Sequence, residues 1–426
     1  MIHFLYNIIL TCFLIVHIPY LFIQVLLRKQ PTRLLKERLG GFPDLSLEHP
    51  VWIHAASVGE VLCSMPLLKR IKKEVPDCEI VLTTMTSTGN ETAKKIIPEA
   101  DRILFFPMDH PSTIQRALRK ISPRLLLIAE TELWPNLLRS CGRKQIPVVL
   151  FNGRISEKSF RGYLLLKSFF KRCLKDISFF LMQTEGDRSR ITEIGAPPDR
   201  AEVMGNIKFD QVFPSINPEA TVEMSGSLGL QGNETILIAG STHQGEEEIF
   251  ISLFKGLRKA DPHLILILAP RHLDRLEEVE KILRNEGLSW KRKSSLTGQG
   301  LDKVSGVILL DTMGELMRLY SLGTIVFIGG SLVPVGGHNP LEPLFFKKCV
   351  LFGPHMFNFL EISRRLIAEG GAIPVNDREE LSSQLKRLLS NEKARNEVGE
   401  NGYRFLMKHR GATERIFEKI KPFLVT

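Results

Sequence analysis

Residues 51–75, VWIHAASVGEVLCSMPLLKRIKKEV, read as a strand, a tight turn and a helix. The alternation recurs: EIVLT 79–83, ILFF 103–106, RLLLI 124–128, PVVLF 147–151 and SFFLM 178–182 each stand between helical patterns. Near-continuous apolar strands separated by helices of about 10–15 residues belong to parallel sheets, because a strand buried on both faces needs no polar alternation. The pattern stops at 211–233, QVFPSINPEATVEMSGSLGLQGN, a Pro-, Ser- and Gly-containing stretch that reads as a linker. It resumes with TILIA 235–239, LILILA 264–269, GVILL 306–310, TIVFIG 324–329 and CVLFG 349–353. The expectation is an α/β chain of two Rossmann-like domains, 28–210 and 234–426, with the last helices packing back on the first. Ligands of open parallel sheets sit beyond the carboxyl ends of the strands, so the loops after strands, lining a cleft between the domains, are where chemistry is expected.

The composition is globular, with 426 residues, 43% hydrophobic and 24% charged, which excludes disorder and collagen. The net charge of +10 is uneven: residues 1–210 carry 30 Lys and Arg against 21 Asp and Glu, and residues 211–426 carry 27 against 26. A basic first half points to an anionic surface, nucleic acid or membrane phosphate. Six scattered cysteines without a CxxC pair fit a reducing compartment and argue against structural zinc or a disulfide framework.

Residues 1–27 contain no charged side chain, and Arg28, Lys29, Arg33, Lys36 and Arg38 follow. As a helix this stretch is long enough for a hydrocarbon core about 30 Å thick. Charges after rather than before the apolar run fit an uncleaved anchor better than a secretory signal. It either spans the bilayer, leaving the rest of the chain in the cytoplasm, or lies in one leaflet. The segment 154–175 carries seven Lys or Arg against Glu157, interleaved with Leu and Phe. It reads as a helix that lays an aromatic side into headgroups, or as a core helix with a solvated basic face. An apolar anchor does nothing for nucleic acid, so no nucleic-acid partner is expected; inner-membrane phospholipids are.

The loops carry the candidate residues. After the first strand, Ser57 and Glu60 form a capping box, or Glu60 is a carboxylate at a cleft lip, ionised by the helix start and able to act as a base. The absence of GxGxxG and GK[ST] removes the dinucleotide and P-loop readings there. After the fourth strand, Glu130 and Glu132 stand beside Trp134, an arrangement turns do not favour. Asn152-Gly153-Arg154 is a turn, a substrate contact, or both. In the second half, Ala239-Gly240-Ser241-Thr242-His243 precedes an acidic helix start, accounted for by capping or by anion binding. Arg271 closes the next strand, at the surface or on a phosphate. Finally, Gly329-Gly330-Ser331 through Gly336-Gly337-His338-Asn339-Pro340-Leu341-Glu342 reads as a capped helix start, with Asn339 as N-cap and Pro340 at N1, whose glycines admit a ligand to the backbone. Nucleotide binding is expected there.

HAASVGE, ETELWP, NGRIS, GNIKFD, AGSTHQGEEE, APRH and GGSLVPVGGHNPLEP, in this order, resemble the 3-deoxy-D-manno-octulosonic acid (Kdo) transferases of lipopolysaccharide assembly. The resemblance covers nearly the whole chain. It implies a GT-B glycosyltransferase at the inner membrane, with its catalytic domains on the cytoplasmic face. The implied reaction moves Kdo from CMP-Kdo to a lipid A precursor, lipid IVA, with inversion. It implies Glu60 as general base. Arg271, Gly336, Gly337, His338, Asn339 and Glu342 are implied on CMP, with Asn339 near phosphate and Glu342 on ribose. Ser241, Thr242 and Lys208 are implied to line the donor site, and Ser57, Gly59, Glu130, Glu132 and Arg154 the acceptor side. No cofactor or metal is expected, because the leaving CMP has low proton affinity and cationic side chains suffice to stabilise it. The rival readings are a membrane GT-B enzyme using a UDP-sugar and a non-catalytic nucleotide-binding membrane protein.

Overall fold

A computed structural model describes residues 2–27, 31–211, 218–296 and 306–424. It divides into two compact units, Met1–Val212 with His409–Thr426, and Phe213–Lys408. The first holds seven parallel strands: β1 Val51–His54, β2 Ile80–Thr84, β3 Arg102–Phe105, β4 Leu125–Ala129, β5 Val148–Gly153, β6 Phe179–Met182 and β7 Ala201–Val203. Their order is β3-β2-β1-β4-β5-β6-β7. Period-two side-chain alternation gives each face its own core: Val51, Ile53, Leu125 and Leu127 pack in one cluster, Trp52 and Leu126 in the other.

The C-terminal segment completes one of these cores. Helix Ala412–Ile420 places Ile416, Phe417 and Ile420 beside Leu67, Leu68 and Ile71 of helix Val58–Glu74. Arg70 grips Glu414 through two hydrogen bonds, Nε to Oε2 at 2.7 Å and Nη2 to Oε1 at 2.9 Å. Asp210 receives the Gly411 N–H at 2.6 Å and the Thr413 N–H at 2.5 Å, capping that helix. Phe417 is wholly buried, so truncating it to Ala would cost about 3–5 kcal/mol.

The second unit repeats the design with β8 Thr235–Thr242, β9 Leu264–Pro270, β10 Trp290–Arg292, β11 Val307–Leu309, β12 Ile325–Ile328, β13 Cys349–Phe352 and β14 Ile373–Pro374. These too are parallel, in the order β10-β11-β9-β8-β12-β13-β14. The first sheet reverses its direction of growth between β1 and β4; the second does so between β8 and β12, after β11 has inserted between β9 and β10. The loops leaving those strand pairs diverge and open a crevice.

Two local expectations change. The stretch 211–233 contains a helix, Pro218–Ser227, while 212–217 lie outside the described residues. The basic segment is two helices, Glu157–Leu165 and Lys167–Leu174, broken at Leu166. Its Phe169 is buried in the core and Phe160 and Phe170 pack against it, so the aromatic side faces inward and Leu165, 87% exposed, faces out. At the N-terminus, helix Ile2–Leu26 contains an 18-residue stretch of mean hydropathy 2.2 and is long and apolar enough to cross a membrane. Arg28 and Lys29 lie outside the described residues.

Candidate active site

The β1/β4 reversal point gathers the first set of residues. Ala55 N–H donates to Thr83 O at 2.9 Å and Met85 N–H to Ala56 O at 3.0 Å, so the loop stays fixed to the β2 side until Ser57 caps helix Val58–Glu74. The Ser57 hydroxyl donates to Glu60 Oε1 at 2.9 Å and the Ala56 N–H to Glu60 Oε2 at 2.7 Å. The capping box is thus displaced by one residue, with Glu60 reaching back to Ala56. A carboxylate has about four acceptor positions, so capping leaves Glu60 capacity for a further proton. Burial to 8% exposure pushes its pKa up; the Ala56 and Ser57 hydrogen bonds and the Arg154 charge oppose that rise, and Glu130 adds to it. A Cβ on Gly59 would meet nothing nearer than Ser57 Oγ at 3.8 Å. Packing therefore imposes no glycine there.

Glu130 and Asn152 end neighbouring strands and are both left-handed, at φ 54° and 53°, a backbone region costly for residues other than glycine. Tertiary bonds hold them there. Glu130 N–H donates to Phe151 O at 2.9 Å, and its carboxylate pairs with Arg154 Nε at 2.8 Å. Asn152 Oδ1 receives the Ile207 N–H at 3.0 Å, which fixes the start of the 3-10 turn Ile207–Asp210 carrying Lys208. Lys208 stands near Cys63, one turn beyond Glu60, where its charge draws the thiol pKa down against burial. Glu132 is pushed up to about 7 by burial and by the charges of Glu60 and Glu130. The structure therefore brings Ser57, Gly59, Glu60, Glu130, Glu132, Arg154 and Lys208 into the first unit. Asn152 emerges as their buried positioning residue, and its left-handed turn residue pair Asn-Gly was the available sequence signal.

In the second unit, the pairing of β8 with β9 slips between Gly240 and Thr242. Ser241, at φ 57°, carries that irregularity. Arg271 N–H donates to Thr242 O at 2.9 Å, which places an exposed guanidinium at the end of β9. His243 Nε2 and His338 Nε2 lie 2.8 Å apart, with ring centroids 5.1 Å apart and planes at 7°. Burial, then the charges of His243 and Arg271, depress His338 to about 4, and burial with the charges of His272 and Arg271 lowers His243. At neutral pH the pair is therefore uncharged, one ring donating to the other. Asn339 Nδ2 donates to Glu342 Oε1 at 3.1 Å, and burial pushes Glu342 up to about 6.

The glycine-rich loop differs in detail from its sequence reading. Helix Leu341–Phe345 begins one residue late, with Pro340 at the cap, and is five residues long; the Asn339 side chain still receives the Leu341 N–H at 3.1 Å. A helix that short sums little macrodipole. The amides of Gly336 and Gly337 donate to Gly330 O and that of His338 to Gly329 O, so the loop's own closure uses them. A Cβ at Gly337 would stand 2.2 Å from Met356 Sδ, and one at Gly336 2.4 Å from Asn358 Nδ2. These glycines serve the loop's own packing, which leaves side chains to face a ligand.

Sequence reasoning saw in Glu246 only an acidic first turn. It is fully buried and receives four backbone N–H groups, from His243 at 2.9 Å, Gly330 at 2.7 Å, Ser331 at 3.0 Å and Leu332 at 3.0 Å. It thereby ties the loop after β8 to the loop after β12, across the reversal point.

Two parallel α/β units with polar residues gathered at both reversal points define a GT-B glycosyltransferase fold. A solved glycosyltransferase from Rickettsia africae shares that fold at TM-score 0.56 and 12% identity, covering 89% of this chain and 100% of that one. Residues 33–211 match the family described as 3-deoxy-D-manno-octulosonic-acid transferase (kdotransferase). A relative from Haemophilus influenzae, 3-deoxy-D-manno-octulosonic acid transferase, is 37% identical over 409 residues, 95% of each chain. The solved C-terminal CMP-Kdo binding domain of WaaA from Acinetobacter baumannii is 30% identical, covers 44% of this chain and 96% of that one, and has a TM-score of 0.41. The chain belongs to the 3-deoxy-D-manno-octulosonic acid transferase family, and it is a glycosyltransferase.

Proposed function

We propose that this chain moves Kdo from CMP-Kdo to a primary hydroxyl of a lipid A precursor, lipid IVA, at the cytoplasmic face of the inner membrane. The observation that carries the reading is Glu60: a carboxylate 8% exposed, oriented by Ala56 N–H and the Ser57 hydroxyl, with its proton affinity raised by burial. A base so positioned takes the acceptor proton as the hydroxyl attacks the anomeric carbon, and one carboxylate suffices for such a displacement with inversion. Ser57, Gly59, Glu130, Glu132 and Arg154 surround the acceptor in this reading, and the open space at Gly59 supports it.

Arg271 is the cation assigned to the CMP phosphate, with Lys208 as the second charge. Asn339 stands near the phosphate, Glu342 takes ribose hydroxyls, and Ser241, Thr242 and His338 line the donor site, with Gly336 and Gly337 shaping the loop that carries His338. A guanidinium carried on the end of a strand whose backbone is held by Thr242 stabilises the charge of the departing CMP, so on this reading the transfer needs no metal. The test is incubation of the purified full chain with CMP-Kdo and tetra-acylated lipid IVA, followed by mass spectrometry of the lipid. The reading predicts a gain of one or more Kdo masses. No gain with CMP-Kdo, alongside transfer from a UDP-sugar, would overturn it.

A further inference from the structure

The apolar N-terminal helix is tied to the first unit at its start, and the helix that follows it is anchored to the same unit. At its start, His3 Nε2 lies 2.9 Å from Asn136 Oδ1, the Tyr6 hydroxyl donates to Asp109 Oδ2 at 2.8 Å, and Asn136 Nδ2 donates to Asn7 Oδ1 at 2.8 Å. The rings of His3 and Tyr6 also stand 6.2 and 5.7 Å from that of Phe169. Beyond its other end, helix Thr32–Arg38 is anchored to the same unit, Arg38 donating to Met85 O at 2.6 Å and Arg33 to Ile103 O. A helix of 25 residues is about 37 Å long, and a hydrocarbon core is about 30 Å thick. If it crossed the bilayer, His3 and Arg33 would emerge on opposite sides. Both touch one globular unit.

Burial along the helix agrees. Tyr6, Leu10, Leu14, His17, Leu21 and Gln24 are the partly or wholly covered positions of one stripe, spaced three and four apart as one face of a helix requires. The opposite face is apolar and open, with Phe4 70%, Ile15 68%, Phe22 52% and Leu26 65% exposed. Cations flank both ends on the domain's side. Lys36 follows the helix and is exposed, while Arg33 and Arg38 beside it bond to the domain. Beside its first turn, Arg139 and Arg172 line a cavity of about 290 Å³ together with His3 and Asp176, and neither guanidinium is held by an ion pair among the described residues.

We infer that this helix lies in the plane of one leaflet, its open apolar face in acyl chains and both ends at the level of lipid phosphates, so that the chain is monotopic and does not span the bilayer. The inference rests on the reading that the protein works at a membrane. An in-plane amphipathic helix sinks only about 5–10 Å into the headgroup and acyl boundary. Its polar stripe then bonds to the domain above it and needs no partner in hydrocarbon. Leu165 and Leu166, 87% and 56% exposed, belong to the same basic segment as Phe169, whose ring faces those of His3 and Tyr6.

The test uses the full chain with one epitope ahead of Met1 and another after Thr426, produced in a Gram-negative host. The protein is first assigned to membrane or soluble fraction, and protease is then applied to spheroplasts and to inverted inner-membrane vesicles. The expected result is sedimentation with membranes, both epitopes retained in spheroplasts, and both lost in inverted vesicles. Loss of the N-terminal epitope alone from spheroplasts would establish a spanning helix and overturn the inference. Recovery in the soluble fraction would overturn the membrane reading beneath it.

Discussion

The Glu246 carboxylate receives the Gly330 backbone N–H at 2.7 Å, joining two loops that are 84 residues apart in sequence. Because the same carboxylate also holds Ser331 and Leu332, it sets the position of the segment that leads to His338 and Glu342. Hydrogen bonds to a buried charge are among the stronger kind. Replacing Glu246 by Gln puts an amide group where two of the acceptor positions were. The expected cost is about 1–3 kcal/mol of stability, with CMP affinity falling at least about tenfold as the loop loosens. Thermal unfolding and calorimetric titration with CMP measure the two effects. Unchanged affinity in a folded variant would detach the loop from donor binding.

Arg271 gives the complementary case. Its guanidinium is exposed and bridges no carboxylate among the described residues, so Arg271→Ala should leave the melting temperature within about 1 °C while weakening CMP by about 1.5–3 kcal/mol, the loss of a charged hydrogen bond. Titration at low and high salt separates a direct phosphate contact from long-range attraction, because the latter fades more steeply with screening.

Two glycines should respond to Ala with opposite signs. Gly337 is left-handed at φ 71°, and its Cβ would stand 2.2 Å from Met356 Sδ; Gly337→Ala is expected to destabilise by about 2 kcal/mol or more. Gly256 lies in helix Glu246–Leu257 with open space about it, so Gly256→Ala should stabilise by about 0.5–1 kcal/mol. Chemical denaturation of both variants checks the pair.

Glu132 makes stability depend on pH. Its pKa rises from 4.5 to about 7 in the folded chain, through burial and the charges of Glu60 and Glu130. A raised carboxyl pKa means that the folded state binds the proton more tightly, so its contribution is present below about pH 4.5 and lost as pH rises through 7. Glu132→Gln should therefore be more stable than the parent at pH 8, by about 2 kcal/mol, and the gap should close by pH 5. Melting curves at the two pH values decide it; an equal difference at both would remove ionisation as the cause.

Much of this was written in the sequence where the physics is local. Doubly buried central strands must be apolar along their length, which made VWIH, RLLLI and TIVFIG legible. The edge strands β7, β10 and β14 are AEV, WKR and IP, two or three residues without such a run, and went unread. Ser57, Glu60, Arg271 and the 329–342 loop stood out because strand ends concentrate unusual residues. Glu246 did not, because an acidic residue in a first helical turn is ordinary and its partners lie 84 and more residues away. The helix start read at Asn339 was placed one residue early, within the fraying that terminal assignments carry. The N-terminal segment was legible as apolar, but its contacts with Asp109 and Asn136 are ones that no local pattern encodes.

Ser57 tunes the proposed base. Its hydroxyl donates to Glu60 Oε1 at 2.9 Å and so favours the ionised form. Activity is expected to fall as pH drops through the raised Glu60 pKa, with the acid limb of kcat above the ordinary carboxylate value of 4.5. Ser57→Ala should move that limb up by about 0.5–1 pH unit, one hydrogen bond's worth. An unmoved limb would separate Glu60 from the ionisation that governs turnover.

The most direct measurement compares the parent chain with Glu60→Gln for Kdo transfer from CMP-Kdo to lipid IVA, with CMP affinity determined on the same preparations. Removal of a general base typically costs about 10²- to 10⁴-fold in rate, so the variant should bind CMP as the parent does while kcat falls by that factor. Transfer at the parent rate by Glu60→Gln would contradict the assignment of Glu60 as the base.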